Sequence, residues 1–479
     1  MHTPFFPQFR ARLAACRQRA VHTLRTASLA QIERCLEGVV PVQLLSQEEE
    51  GAHSRERIFT LALTLQCFLW QVLKPRTSCR EVVRQIQALF RLLQRSPVDE
   101  GTAAYCLARQ RLPRERMEQV LAIAAETADR RAGGGQFNGR PVKVVDCSSV
   151  QLPDTAKNQA RYPQPKEQMP GCGFPVLKFL TLYSLSSGAV LRVILGGLQD
   201  HDLRLLQPLR QELRTGDILL GDRAYGEYAQ LAWWPQQGVD LVARLHARRT
   251  VDFRKAKRLG PGDGLFTWRK SATRSPLWTP EAWAALPDTI TVRVVRFRAA
   301  GRDRRLRWIT LATTLLDPKL YPAEKLMALY ARRWRLELCF RDLKTTMGME
   351  QLRCLSPEMV EKELLAYLIS YNLVRCLMAQ AVALYQGDLE RVSFKGTLDA
   401  LRQYSAASAQ ARSKALRQIL WDDLQVNLIR DALPHRPGRY QPRAIKRRPK
   451  PYPLLTKPRH RYREILHRNS YYLKTRQKA

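Results

Sequence analysis

Acidic residues are scarce in this sequence relative to basic ones. The 479 residues include 43 Asp and Glu against 80 Lys and Arg, which gives a formal net charge of +37. Such an excess goes beyond what solubility requires and points to a polyanionic partner, with nucleic acid as the leading candidate. The longest apolar stretches predict buried helices and no membrane partner, because polar residues interrupt them: Gln66, Gln71, Asn372, Arg375 and Gln380.

Cysteine pairs of the metal-binding kind are also missing. The ten cysteines form no Cys-x-x-Cys pair and no cluster with histidine. This pattern argues against a zinc site and against a disulfide framework, and it indicates a reducing, cytoplasmic compartment. The first 32 residues carry Arg but no acid, like an organelle transit peptide. We favour a basic helix that belongs to the protein.

The N-terminal part, residues 1–135, predicts a helical domain. Ser78 is placed to cap a helix over Cys79–Leu93, and the glycines at 133–135 suit a linker. Two interpretations of this domain stay open, DNA binding or a solvated helical scaffold. Both depend on a basic cluster formed by Arg109, Arg111, Arg114 and Arg116.

Residues 136–385 predict an α/β domain with an insertion. Strand-like runs separated by helices fill residues 136–245: Val142–Val145, Pro175–Leu185, Val190–Leu195, Asp217–Leu220 and Val239–Arg244. Residues 246–307 read as a β-rich insertion, and residues 308–385 hold a long helix from Pro322 to Gly348 and a second one. Residues 386–435 read as a C-terminal helical region and residues 436–479 as a basic tail.

One helix of this domain carries a row of chemically active side chains. At about 100° per residue, Tyr330, Arg333, Glu337 and Lys344 fall within an arc of roughly 60°. A separate apolar stripe lies beside them, formed by Leu329, Leu336, Phe340, Leu343 and Met347. Taken alone, the row is more typical of a solvated helix face with a cross-turn pair of Arg333 and Glu337.

Two aspartates follow strand-like runs and suggest a metal site. Asp146 and Asp222 each end a predicted strand. Two-metal phosphoryl transfer needs carboxylates that hold the ions roughly 3.5–4 Å apart. In an RNase H-like fold the first and fourth strands are neighbours, so these aspartates would converge and Glu337 would complete the set. The alternative is that each aspartate caps a turn.

These segments resemble the bacterial DDE transposases of the insertion sequence 4 family. The resemblance rests on Asp146 in VVDCSSVQLPDT, Asp222 in ILLGDRAYG and the signature Tyr330, Arg333, Glu337, Lys344. It implies an RNase H-like mixed sheet interrupted by the β-rich insertion. It also implies two Mg²⁺ or Mn²⁺ ions on Asp146, Asp222 and Glu337, with the other three signature residues on DNA phosphates. Trp308 matches the tryptophan that stacks on a flipped base; its alternative is a core strand residue.

The resemblance implies a transposase. It would cleave DNA at the terminal inverted repeats of its element, pass through a hairpin, and join the 3′ ends to target DNA as a homodimeric synaptic complex. It would act in the bacterial cytoplasm, on the nucleoid. Two other interpretations stay open: a stand-alone RNase H-like nuclease, and an inactive or domesticated DNA-binding protein.

The tail yields a first prediction. Residues Arg436–Ala479 contain 15 Lys or Arg and one acid, Glu464. If they lie along phosphates, truncation at Arg436 should flatten the slope of log K against log salt by about 0.9 for each phosphate that is no longer neutralised. Binding titrations of full-length and truncated protein at several salt concentrations would measure this. An unchanged slope would assign the tail no part in binding.

Overall fold

The computed structural model describes residues 39–45, 58–92, 98–135, 137–246, 249–300, 306–411, 413–434 and 454–461. The first 32 residues and most of the basic tail lie outside this part. The helices are α1 (Val42–Leu45), α2 (Leu61–Leu73), α3 (Cys79–Leu92), α4 (Ala103–Arg111), α5 (Arg114–Arg131), α6 (Ala156–Arg161), α7 (Asp202–Leu206), α8 (Tyr228–Gln236), α9 (Pro280–Ala284), α10 (Ala323–Arg332), α11 (Arg335–Arg341), α12 (Pro357–Tyr385), α13 (Phe394–Gln410) and α14 (Lys414–Arg430).

A single mixed sheet organises the chain. Its strands are β1 (Val142–Gln151), β2 (Val176–Ser184), β3 (Val190–Gly197), β4 (Ile218–Gly221), β5 (Asp240–Arg244), β6 (Lys257–Gly260), β7 (Asp263–Arg269), β8 (Thr289–Ala300) and β9 (Leu306–Thr313). They lie in the order β3-β2-β1-β4-β5-β9-β8-β7-β6. The β1–β4–β5 pairs are parallel and the others antiparallel. The predicted mixed α/β architecture is confirmed, and the strands of the insertion extend the same sheet.

The two faces of β1 belong to two different cores. Val142, Val144 and Val150 pack in one hydrophobic cluster, with α5 and α12, whereas Val145 packs in the other, with α8. Because successive side chains of a strand point to opposite faces, Asp146 and Ser148 share the face of Val144. That face is covered by α12 and by the signature helices, which are α10, α11 and the turn Asp342–Thr346 that follows them.

Helix α12 forms the centre of this larger core. It is the one helix in the described part long and apolar enough to cross a membrane, but it is almost entirely buried in the protein, as expected for a core helix. Asn372 near its middle accepts from the Val190 nitrogen (2.9 Å) and donates to the Val190 carbonyl (2.8 Å). These bonds fix α12 to the edge strand β3.

Two arginines of the predicted basic cluster have structural roles in the N-terminal helices. Arg109 is buried against aromatic rings, and Arg114 bonds Glu118 and Glu361, the latter on α12. For these two residues the scaffold interpretation therefore fits the structure. The predicted cap of α3 is confirmed: Ser78 Oγ accepts from the Glu81 nitrogen (3.2 Å), and the Glu81 carboxylate accepts from the Ser78 nitrogen (2.6 Å).

The expectation of one uniform helix from Pro322 to Gly348 is wrong. Helix α10 ends at Arg332, and the next turn is closed by bonds between residues three apart, such as Glu337 N to Trp334 O (3.1 Å). Helix α11 then passes into a π-helical segment at Asp342–Thr346. The winding tightens and then widens, so the 60° arc computed for uniform winding does not apply. The apolar stripe is confirmed, since Leu329, Leu336, Leu343 and Met347 are buried.

A buried ion pair joins the insertion to the start of α10. Arg293 on β8 is fully buried and donates from Nε and Nη2 to both carboxylate oxygens of Asp263 on β7, at 2.9 and 2.6 Å. Its Nη1 donates to the carbonyl of Tyr321 at 2.7 Å. The insertion is therefore tied to the segment that leads into the signature helices.

Breaking this pair should destabilise the protein strongly. Asp263→Ala leaves the Arg293 guanidinium buried without its counter-charge, which typically costs about 3–5 kcal/mol in the free energy of unfolding. Urea unfolding of the full chain would measure the loss. Asp252→Ala, which removes the acid of an exposed pair with Arg254 and its cap on the following turn, is the matched control and should cost far less stability. Equal effects of the two substitutions would contradict this role of the buried pair.

Candidate active site

The parallel pairing of β1 with β4 brings two aspartates side by side. Val142 pairs with Ile218 and Val144 with Leu220, and continuing this register by two residues sets Asp146 opposite Asp222. Neighbouring strands lie about 4.8 Å apart. Val144 and Leu220, two residues before the aspartates, belong to the larger core, so strand alternation puts both aspartate side chains on that same face. The sequence-based prediction that strands one and four are neighbours is thus confirmed.

The prediction that Asp146 ends its strand is wrong. Strand β1 continues to Gln151 because its polar residues 146–149 still pair with β2, for example Asp146 with Thr181. Asp222 does follow the end of β4, where its Oδ1 accepts from the Ala224 nitrogen at 2.8 Å. One aspartate therefore lies within the sheet and the other at the start of a turn.

Asp146 is held by one cation in a half-buried position. Arg333 Nη1 donates to its Oδ2 at 3.2 Å, and the Cys147 nitrogen donates to its Oδ1 at 2.8 Å. Burial nevertheless raises the pKa of Asp146 to about 6, and the nearby Asp222 and Asp202 add to that rise against the opposing effect of the hydrogen bond and of Arg333. The net effect is that the protein disfavours the charged form of this carboxylate.

Glu337 lies one turn after Arg333, on α11, and is exposed. Within the residues that the structure describes, no three His, Cys, Asp or Glu side chains are grouped closely enough to hold one metal ion. The structure therefore brings Asp146 and Asp222 together but does not assemble the three-carboxylate set, and its convergence stays a prediction.

The other signature residues surround the aspartates. Lys344, in the π-helical segment, donates to the Ser148 hydroxyl at 3.3 Å, two residues along β1 from Asp146. Tyr330 is buried, with the Arg333 guanidinium 5.8 Å from its ring centroid. Burial raises the pKa of Tyr330, and Arg333 opposes the rise. Two of the four side chains predicted on the helix, Arg333 and Lys344, thus contact β1, although the helix is not uniform.

Two more arginines border the site and were not singled out from the sequence. Arg223 follows Asp222 directly, and Arg244 ends β5. Burial lowers the pKa of Arg244, and the charges of Arg223 and Arg333 lower it further, so the three guanidinium groups are near one another. Arg223 was visible in the motif GDRAYG, but Arg244 carries no local signal because only the β4–β5 pairing places it here.

Trp308 is exposed rather than buried, so the core interpretation of this residue is wrong. Its side chain is 56% exposed on β9, and the Arg298 guanidinium of the paired strand lies 4.7 Å from its ring centroid. The other insertion tryptophans are buried or half-buried: Trp268, Trp278 and Trp283. Trp308 therefore offers a free ring face in a basic environment.

Comparisons with known proteins point in one direction. The family profile of the transposase DDE domain matches residues 137–373. The chain is 24% identical over 409 residues to transposase InsG for insertion sequence element IS4 of Escherichia coli (strain K12), covering 84% of this chain and 89% of that protein. It is 25% identical over 289 residues to a probable transposase for insertion sequence element IS5377 of Geobacillus stearothermophilus, covering 59% and 69%.

A solved structure also aligns with most of the chain. It is the piggyBac transposase synaptic complex with hairpin DNA, which matches at 11% identity with a TM-score of 0.39, over 88% of this chain and 86% of that one. At this score the likeness is too weak to support any statement about function.

The raised pKa of Asp146 predicts an unusual stability effect. Because the native state favours the neutral form, Asp146→Asn should stabilise the metal-free protein above pH 6, by roughly 1–3 kcal/mol. The difference should shrink as the pH falls from 6 toward the ordinary value of 3.8, where the wild-type carboxyl is protonated in both states. Urea unfolding in EDTA at pH 7.5, 6 and 4.5 would test this. If the variant is less stable at pH 7.5, the ion pair with Arg333 stabilises the protein by more than burial of the charged Asp146 destabilises it.

Proposed function

Since this chain belongs to the DDE transposases of the insertion sequence 4 family, we propose that Asp146, Asp222 and Glu337 are the carboxylates with which it cleaves and joins DNA. As a transposase it acts on DNA, and its family depends on divalent metal. The proposal extends to a cut-and-paste reaction at the terminal inverted repeats, with two protomers pairing two transposon ends in the bacterial cytoplasm.

The observation that carries this proposal is the adjacency of Asp146 and Asp222 on parallel strands. The antiparallel unit β1–β2–β3 followed by the parallel pairs β1–β4–β5 supports an RNase H-like core. The signature helices contact the same face of β1 through Arg333 and Lys344. Glu337 lies between these two residues in sequence, which supports it as the third carboxylate.

The donor set suits a hard divalent cation. Carboxylate oxygens are the ligands that Mg²⁺ and Mn²⁺ prefer. Burial, helped by Asp222 and Asp202, raises the pKa of Asp146, so a cation bound here would stabilise its charged form. Asp146, Asp222 and Glu337 would hold two such ions. Bound there, they would activate the attacking oxygen and stabilise the leaving oxygen at phosphorus.

The cations around the aspartates would then turn to DNA. Arg333, which balances Asp146 in the metal-free protein, would be released to donate to a backbone phosphate. A planar guanidinium suits such a bidentate contact, whereas Lys344 acts as a point charge. Tyr330 keeps its proton, since burial raises its pKa, and so remains a hydrogen-bond donor.

Each chemical step in the proposal is an in-line displacement at phosphorus. Water first attacks a phosphodiester at the transposon end, and the released 3′ hydroxyl attacks the opposite strand to form a hairpin. A second water opens the hairpin, and the 3′ hydroxyl then attacks target DNA. The same carboxylates serve every step, so a single substitution should block all of them.

Asp222→Ala should abolish cleavage while transposon-end binding stays nearly intact, because phosphate contacts dominate affinity. Asp288→Ala removes an exposed acid of the insertion and is the matched control, with normal cleavage and binding expected. Gel assays with end-bearing duplexes and Mg²⁺ would measure nicking, hairpin formation and joining separately. If the wild-type chain cuts DNA but never joins it, the protein is a nuclease. If it binds DNA but does not cut it even with Mg²⁺ present, it is a DNA-binding relative without catalysis.

Trp308→Ala should slow hairpin formation about tenfold and leave the first nick almost normal. A hairpin forces one base out of the stack, and an exposed indole can return about 1–3 kcal/mol by stacking on it. The first nick acts on paired duplex and needs no such support. Trp268→Ala, which empties a buried position of the same insertion, should lower the melting temperature and weaken all steps together. If both variants lose both activities equally, Trp308 has no stacking role.

A further inference from the structure

A buried arginine in the N-terminal helices has thiols in place of a carboxylate partner. Arg109 on α4 is only 8% exposed, and it packs on the rings of Phe68 and Tyr105 at 5.1 and 5.0 Å. In the described part of the chain it forms no direct ion pair with an acid, and its Nε has no hydrogen-bond partner. The buried carboxylate of Glu363 acts on it without direct contact. Burying a guanidinium without a directly bonded anion is costly, so the groups that do contact it matter.

Two cysteine sulfurs provide the acceptors. Arg109 Nη2 lies 3.2 Å from the Sγ of Cys79 and 3.7 Å from the Sγ of Cys106. Cys79 is the first residue of α3, where the helix dipole and the neighbouring guanidinium both favour the thiolate. Cys106 lies one turn before Arg109 on α4. Both sulfurs approach the same nitrogen, and the two thiols also interact directly with each other.

The pair is accessible and is not held by a carboxylate. Cys79 and Cys106 are both half-buried, whereas Cys67 is 1% exposed. Cys354, also near Arg109, is engaged by the buried carboxylate of Glu363. Burial raises the pKa of the Cys79 thiol while Arg109 opposes that rise. Cys79 makes the shorter of the two contacts with the guanidinium, so it is the thiol on which Arg109 acts most, with Cys106 next to it as a second thiol.

We propose that Cys79 and Cys106 form a reversible oxidation site, at which a peroxide converts the two thiols into a disulfide that links α3 to α4. The Cys79 thiolate attacks one peroxide oxygen, which gives a sulfenic acid and releases hydroxide. The Cys106 thiol then attacks that sulfur, so the S–S bond forms and water leaves. Two electrons pass from the thiols to the peroxide. A thiol reductant reverses the reaction.

Peptide mapping after hydrogen peroxide treatment tests this proposal. The full-length protein is treated, alkylated and digested without reductant, and mass spectrometry should find the Cys79–Cys106 cross-linked peptide, which dithiothreitol removes. In Cys106→Ser the product at Cys79 should become a sulfenic acid that dimedone traps. Cys172→Ser, which removes a half-buried thiol elsewhere, is the control and should leave the cross-link unchanged.

A second variant tests the part played by the guanidinium. Arg109→Met keeps an apolar side chain between the rings but removes the charge, so peroxide consumption by Cys79 should slow about tenfold at pH 7. An unchanged rate would refute the activation by Arg109. Oxidation of Cys172 or Cys354 ahead of Cys79, or random pairing of the thiols, would overturn the site itself. Cross-link formation in the wild type answers this even if Arg109→Met does not fold.

Discussion

The parallel register between β1 and β4 is the constraint on which the candidate site depends. It fixes Asp146 and Asp222 on neighbouring strands and on the same face, because residues two apart along a strand share a side. A slip of one residue would move one of the two carboxylates to the opposite core. The apolar residues before each aspartate, such as Val144 and Leu220, are buried, so packing of the core resists such a slip and thereby positions the chemistry.

Placing two acids side by side creates an electrostatic problem that the fold only partly solves. Arg333 supplies one positive charge, yet burial leaves the pKa of Asp146 raised to about 6. The metal-free site therefore stays less favourable than an apolar or amide-lined version would be. A metal-free site that is destabilised in this way is expected where divalent cations bind, since their binding energy offsets the repulsion between the carboxylates.

Much of the fold was predictable because its signals are local. Apolar runs ending in turn residues predicted β1 to β5, and the stripe from Leu329 to Met347 predicted a buried helix face. What stayed hidden depends on distant contacts. The ion pair of Arg293 with Asp263 joins residues 30 positions apart, and Arg244 reaches the site only through strand pairing. The change of winding near Trp334 and Lys344 has no periodic signature, because helix patterns assume constant rotation per residue.

The high positive charge has two separate uses, which composition alone does not distinguish. Arg109, Arg293 and Arg375 are buried, the last donating to the Ser187 carbonyl at 2.6 Å, so these cations hold helices and strands together. A second group of arginines lies at the candidate site or on the surface of the insertion. Arg223 and Arg333 are next to the aspartates, and Arg298 is exposed on the insertion beside Trp308. Of these six arginines, only the second group bears on a polyanionic partner. The inference of DNA binding therefore gains its weight from where arginines converge around Asp146 and Asp222, rather than from the net charge of the chain.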